Sequence, residues 1–224
     1  MLIKYFGHAT FMVEFPSRKI MFDPWFQSEA DSQGGRLVKA ACTAEQAGKP
    51  DLICITHEHF DHFNPHDVSI IQGKAMAQVV APQNVLSGLD VPARCKVPVQ
   101  AGDNFTIMGV DIKVMEAKHP QSAYAVSYLV STAGKSVFFA GDTYDHYGFS
   151  GVNADVAFIP IGGKYTMDVF NAVTAVKKMK ARVVIPMHYG TFKDIQADPA
   201  DFARRVKSDK VTPIVLSPGQ QVQV

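Results

Sequence analysis

The chain has 224 residues, 47% of them hydrophobic and 19% charged, which supplies one sizeable core over residues 1–224 and excludes a fibrous or disordered protein. Its 22 basic and 21 acidic residues give a formal net charge of +1, so no global field draws in nucleic acid or an anionic membrane. No apolar run approaches the roughly 18 residues of a membrane span, and Lys4, His8 and Glu14 interrupt the only place for a signal peptide, so a cytoplasmic protein is expected.

In chain order, Leu2 to Phe6, Thr10 to Phe15 and Lys19 to Phe22 are short apolar runs separated by turn residues, which predicts antiparallel strands. From Ser28 to Pro50 the chain is small and polar, with Gly34-Gly35, and reads as a loop with some helix, long enough to be a lid. Leu52 to Ile55 is then a buried strand, Asn64-Pro65 starts a helix, and Val79-Val80 begins another strand. Strands split by a Gly109 turn lie between Phe105 and Val114, and Val126 to Val130 pairs with Ser136 to Ala140 as a hairpin about Thr132-Ala133-Gly134.

A buried strand follows over Val156 to Ile161. Thr166 is expected to cap a helix from Met167 to Lys180 whose inward stripe is Phe170, Val173, Val176 or Lys177, and Met179. Arg182 to Pro186 is a strand, Pro199 to Lys207 a helix, and Thr212 to Leu216 the last strand. Each half thus runs from antiparallel strands to alternating strand and helix, which predicts a four-layer α/β/β/α sandwich of two similar sheet-plus-helix halves in one domain.

The strongest chemical signal is Thr56-His57-Glu58-His59-Phe60-Asp61-His62, four potential ligands in six positions directly after a buried strand. Residues two apart share a side in extended chain, so His57 and His59 reach one point, while Asp61 and His62 lie past a bend and reach a second. A helical metalloprotease site is excluded, because it needs a second His at position 61. Without a cation to share, three His and an Asp crowded at a strand end would be costly. His119, Asp142 and His188 each appear as a buried strand ends, the place where open α/β sheets carry ligands. Five His and two Asp suit two divalent ions; zinc is the foremost expectation, and manganese, nickel, iron or cobalt are compatible with the ligand types. Cys42, Cys54 and Cys95 are odd in number and widely spaced, which offers no thiolate site and fits a reducing compartment, with Cys54 a core residue.

Through this ligand series the chain resembles the metallo-β-lactamase fold hydrolases along essentially its whole length. Gly7-His8-Ala9, Phe22-Asp23-Pro24, the stretch Pro160 to Met167 and Pro186-Met187-His188-Tyr189-Gly190-Thr191-Phe192 are similar to metal-dependent hydrolases related to ascorbate-phosphate lactonase. The resemblance implies that His57, His59 and His119 hold one metal, Asp61, His62 and His188 the other, and that Asp142 bridges them. It implies a dinuclear hydrolase whose bridging hydroxide cleaves an ester, lactone or phosphoester bond of a small, anionic metabolite.

Other residues carry two readings each. His8 is either a hydrogen-bonded core residue or a group that contacts substrate or moves a proton. Lys164 and Tyr165 either bind an anion or protonate a leaving oxygen, or they pack a loop. Asp23 either caps a turn or supports a metal-bound His. Trp25, Phe26 and Phe149 line an apolar substrate wall or belong to the core; His66 and His146 are expected on the surface or on a helix. Of the rival activities, the resembled di-iron oxidoreductases carry a carboxylate where this chain has His59. A nuclease would need a basic stripe, and only Lys177 to Lys180 and Arg204 to Lys207 approach one, as solvated helix faces. A small-molecule substrate is therefore expected, with no membrane or nucleic-acid partner, and a homo-oligomer remains compatible.

Overall fold

The computed structural model describes residues 1–27 and 35–224. In the first half β1 (Leu2–Gly7), β2 (Thr10–Glu14) and β3 (Lys19–Phe22) form an antiparallel meander that continues through parallel β4 (Leu52–Cys54), β5 (Gln78–Ala81) and β6 (Lys96–Pro98). In the second, antiparallel β7 (Asn104–Ile107), β8 (Val110–Glu116), β9 (Val126–Thr132) and β10 (Lys135–Phe139) lead into parallel β11 (Asn153–Pro160), β12 (Lys180–Met187) and β13 (Thr212–Pro213). With β14 (Gln221–Gln223) added beside β1, each sheet has seven strands. Helices α1 (Pro65–Ala75) and α2 (Gln83–Ser87) cover the first sheet, and α3 (Val169–Lys178) and α4 (Pro199–Val206) the second. The result is the α/β/β/α sandwich, and among the described residues no helix is long and apolar enough to cross a membrane.

Strand alternation shows why the sheets face each other. In β8, Val110, Ile112 and Val114 are buried while Asp111 and Lys113 are exposed, so one pleat face meets the core and the other water. Central strands such as β11 are buried along nearly their whole length because a helix layer covers their second face. Between the sheets Phe22 stacks on Phe139 at 4.6 Å and Phe11 packs against Phe158 at 4.5 Å. The buried Tyr128 hydroxyl donates across the sandwich to the Ile55 carbonyl at 2.8 Å. Asn64 caps α1 by accepting from the Asp67 N–H, with Pro65 in the first turn, and the β9–β10 turn has positive φ at both Ala133 and Gly134.

Several expectations are corrected. The third helix begins at Val169, capped by Asp168 rather than Thr166; Thr166 and Met167 are instead buried under the preceding loop. Its inward face is Ala172, Val173, Ala175 and Val176, while Phe170 is 63% exposed beneath the Arg205 guanidinium. The strand expected over Thr212 to Leu216 stops at Pro213, and the polar tail strand β14 was not expected, because only pairing with β1 makes it. Of the 28–50 loop, residues 35–50 contain turns and no helix, with Ala44 and Ala47 packed into the core beside α1; residues 28–34, on which the lid reading partly falls, lie outside the described residues. His146 is buried rather than exposed, and its ring accepts from the Gly148 N–H.

Candidate metal centre

The polar residues that matter follow the ends of strands whose burial leaves them little freedom. After β4 the chain turns back on itself, with the His62 and Phe63 N–H groups donating to the His59 carbonyl, so His57 and His59 face one side and Asp61 and His62 the other. Asp142 follows β10, His119 follows β8, and His188 follows β12. Gly141, with φ of +59°, lets Asp142 approach: a Cβ there would lie 2.7 Å from the Thr56 methyl.

Two ligand groups form. His57, His59, His119 and Asp142 offer atoms within 4.8 Å of one another, and so do His8, Asp61, His62 and His188. Asp142 stands between them, with Oδ1 3.1 Å from His62 Nε2, and Oδ2 3.2 Å from His188 Nε2, 3.8 Å from His119 Nε2 and 4.0 Å from His57 Nε2. Asp23, His57 and His62 also lie within that distance of one another, but Asp23 is already saturated. One of its oxygens accepts from the Thr56 N–H at 2.8 Å, the other from the Thr56 hydroxyl at 2.7 Å and from His62 Nδ1 at 2.7 Å. Asp23 thus holds the His62 ring as well as the Thr56 backbone, rather than only capping its own turn.

The same logic orients the other rings. His57 Nδ1 donates to the Thr56 hydroxyl at 3.0 Å, and His119 Nδ1 to the Tyr165 carbonyl at 3.1 Å, so each leaves the lone pair of Nε2 pointing inward. His57 Nε2, His62 Nε2, His188 Nε2 and Asp142 Oδ1 are buried with no hydrogen-bond partner among the described residues. Each buried polar group left so costs about 1–3 kcal/mol unless a cation takes up its lone pair. Divalent metal fits this donor set of imidazoles and carboxylates.

Electrostatics agree. Burial opposes charge on Asp142, yet the flanking His188 and His62 hold its carboxyl well below the usual range. Burial also opposes an imidazolium at His62, but Asp142 and Asp23 on its two sides raise its pKa well above the ordinary value, marking a spot where positive charge is stabilised. Burial and the neighbouring His62 push His57 well down, which keeps it neutral, as a ligand must be.

The remaining sequence candidates separate. His8 is 1% exposed, in the left-handed region at φ +58°, with its Nε2 3.1 Å from Asp61 Oδ2 and its carbonyl accepting from the His188 N–H at 3.0 Å. Burial lowers its pKa to about 3. It therefore sits behind Asp61 and His188 rather than facing solvent. A cleft of about 680 Å³ opens over the centre, lined by Glu58, His59, Phe60, Asp61, Gln121, Asp142, Tyr165, His188 and the stretch Phe192 to Ile195. Tyr165 is in this lining; Lys164 is not, and it pairs with Asp194 at the rim. Trp25 is buried against His8, whereas Phe26 packs on Phe6 in the core and Phe149 on Phe138.

Sequence reasoning missed three residues. Thr56 joins Asp23 to His57; Glu58 ties the His119 loop, through Ser122 and the Ala123 N–H, to Asn84 of α2; and Arg36, 9% exposed, holds the Trp25 carbonyl at 3.1 Å. For Thr56 and Glu58 the signal was their place inside the motif. Arg36 has no local signal at all.

Residues 2–188 match the family described as the Beta-lactamase superfamily domain. A UPF0173 metal-dependent hydrolase of Pyrococcus abyssi is 34% identical over 236 residues, covering 99% of each chain. One from Pyrobaculum calidifontis is 32% identical over 232 residues, covering 100% of each. Among solved structures, Igni18, a metallo hydrolase from Ignicoccus hospitalis, superposes with a TM-score of 0.81 at 28% identity, covering 99% of this chain and 97% of its own.

Proposed function

We propose, from the premise that this chain belongs to the beta-lactamase superfamily and is a metal-dependent hydrolase, that it works as a single domain through a dinuclear centre, with zinc the foremost metal. In this reading His57, His59 and His119 hold one ion, Asp61, His62 and His188 the second, and Asp142 lies between. The reaction is cleavage of an ester, lactone or phosphoester bond of a small molecule. When bound, two divalent cations supply Lewis acidity and a bridging hydroxide nucleophile near neutral pH.

The chain's own residues do the rest. Asp23 and Thr56 hold His62 and His57 in the tautomer that presents Nε2. The Tyr165 carbonyl does the same for His119, and His8 orients Asp61. The observation that carries this reading is the buried, unpartnered Nε2 atoms of His57, His62 and His188 gathered with Oδ1 of Asp142. A nuclease gains no support, since Lys177, Lys180, Arg205 and Lys207 line a separate cleft at the N-terminal ends of β11 and β12, away from the ligand residues. Three free thiols support a reducing, cytoplasmic setting as part of the same proposal.

Metal analysis of protein purified without chelator, followed by assays on aryl ester, lactone and phosphodiester substrates, tests this reading. About two equivalents of zinc or manganese are expected, with one lost and hydrolysis abolished in His59→Ala. Metal-free protein whose hydrolysis ignores chelation would overturn it, and iron without hydrolysis would favour an oxidoreductase.

A further inference from the structure

Beyond the metal ligands the cleft lining combines open aromatic rings with a few charged groups. On the Asp61 and His188 side Phe192 stacks on Trp25, with centroids 5.7 Å apart and planes inclined by 26°. Phe60 meets Trp25 edge-on at 5.9 Å and Phe192 at 6.0 Å, which closes a three-ring cluster. Trp25 is the buried base of this cluster, at 3% exposure, and the Arg36 guanidinium lies 4.1 Å from its ring. Phe60, in contrast, is 37% exposed into the cleft although it stands between the ligand residues His59 and Asp61, and Phe192 is half-buried beside it. Two aromatic faces left open next to a reaction centre are ready-made surface for an apolar group.

The lining carboxylates outside the ligand set are already paired. Glu58 accepts from Asn84, Ser122 and the Ala123 N–H, and Asp194 is paired with Lys164. Lys193 is the single Lys or Arg among the described lining residues. Recognition of a phosphate or carboxylate away from the metals calls for convergent Arg or Lys donors, and among the described lining residues there is no such pair.

We propose that Phe60 and Phe192, backed by Trp25, bind the neutral aryl or branched apolar part of an ester or lactone whose carbonyl lies over Asp61, Asp142 and His188. This rests on the hydrolytic reading above and replaces the anionic metabolite expected from sequence with a neutral, apolar substrate. In the reaction the ester C–O bond breaks, the oxygen of water joins the acyl carbon, and the protons of water end on the carboxylic acid and the leaving alcohol; no oxidant or reductant is consumed.

Trp25 is the only tryptophan in the chain, so its emission reports on this wall alone. N-phenylbutanamide, the unreactive amide counterpart of phenyl butanoate, should change that emission saturably in both metal-free and metal-loaded protein. Phe60→Ala and Phe192→Ala should each weaken its binding about tenfold, and Phe60→Leu, which keeps bulk but loses the ring, should fall between them and wild type. With phenyl butanoate the same variants should raise KM by about that factor, with a much smaller change in kcat and with metal content unchanged. Emission that ignores the amide would overturn the proposal. So would a preference for phenyl phosphate, or KM values indifferent to both phenylalanines. Should the loaded protein hydrolyse no ester while the amide still binds at Trp25 and is weakened by the variants, the wall stands and the hydrolytic reading fails.

Discussion

At Asp23 three donors converge on one fully buried carboxylate, and two of them belong to Thr56, the residue that also orients His57. Asp23 adopts φ of +41°, outside the regions most side chains prefer, so the turn before Pro24 is shaped to deliver this carboxylate. Replacing it strands a buried N–H and a buried hydroxyl and frees the His62 ring. Asp23→Ala is expected to cost about 2–4 kcal/mol in denaturant unfolding and to weaken metal binding by about 10–100-fold in a chelator competition titration. An unchanged metal affinity would show that His62 is oriented by packing alone. From the letters, Asp23 offered two readings because Asp before Pro is common in turns; the partner that decides, His62, lies 39 residues away.

Among the elements, α3 shows how local rules compete. Thr166 and Asp168 both have the chemistry of a cap, and Asp168 takes the role, accepting from the Asn171 N–H at 2.8 Å. Thr166 is drawn under the loop because Gly163 and Met167 close a backbone hydrogen bond there. The helix consequently turns its small residues, Ala172 and Ala175, toward the sheet and leaves Phe170 outside. Asp168→Ala should lower stability by about 1 kcal/mol, read as a shift of the urea midpoint with an unchanged slope. Thr166→Ser, which keeps the hydroxyl but loses a buried methyl, tests the alternative: if the threonine were the cap, serine would be neutral and Asp168→Ala silent. Strands with steady alternation or continuous burial, such as β8 and β11, were legible from the letters, whereas β14 was not, since a short polar tail becomes a strand only when β1 offers an unpaired edge.

For the whole molecule, the two sheets meet through aromatic pairs that link β2 and β3 to β10 and β11. Of these strands β10 leads into Asp142, while β3 and β11 pair with β4 and β12, the strands that precede the His57–His62 cluster and His188, so core packing bears on the separation of the two candidate ligand groups. Phe158→Ala should cost about 3–5 kcal/mol in thermal or denaturant unfolding and should also reduce metal occupancy, because the cavity lets the sheets shift against each other. Full occupancy in a folded variant would show that the ligand loops hold their geometry without the sandwich.

By itself the sequence determined the four-layer order of strands and helices and the crowding of His57, His59, Asp61 and His62 after a buried strand. Hydrophobic periodicity and short-range spacing are written residue by residue, so both are readable along the chain. It did not determine that Arg36 braces Trp25, that Thr56 bridges Asp23 and His57, or that Phe60 and Phe192 open onto the cleft. Those relations join residues whose separation in the chain bears no relation to their distance in space, and only the packing of one sheet on the other brings them within reach.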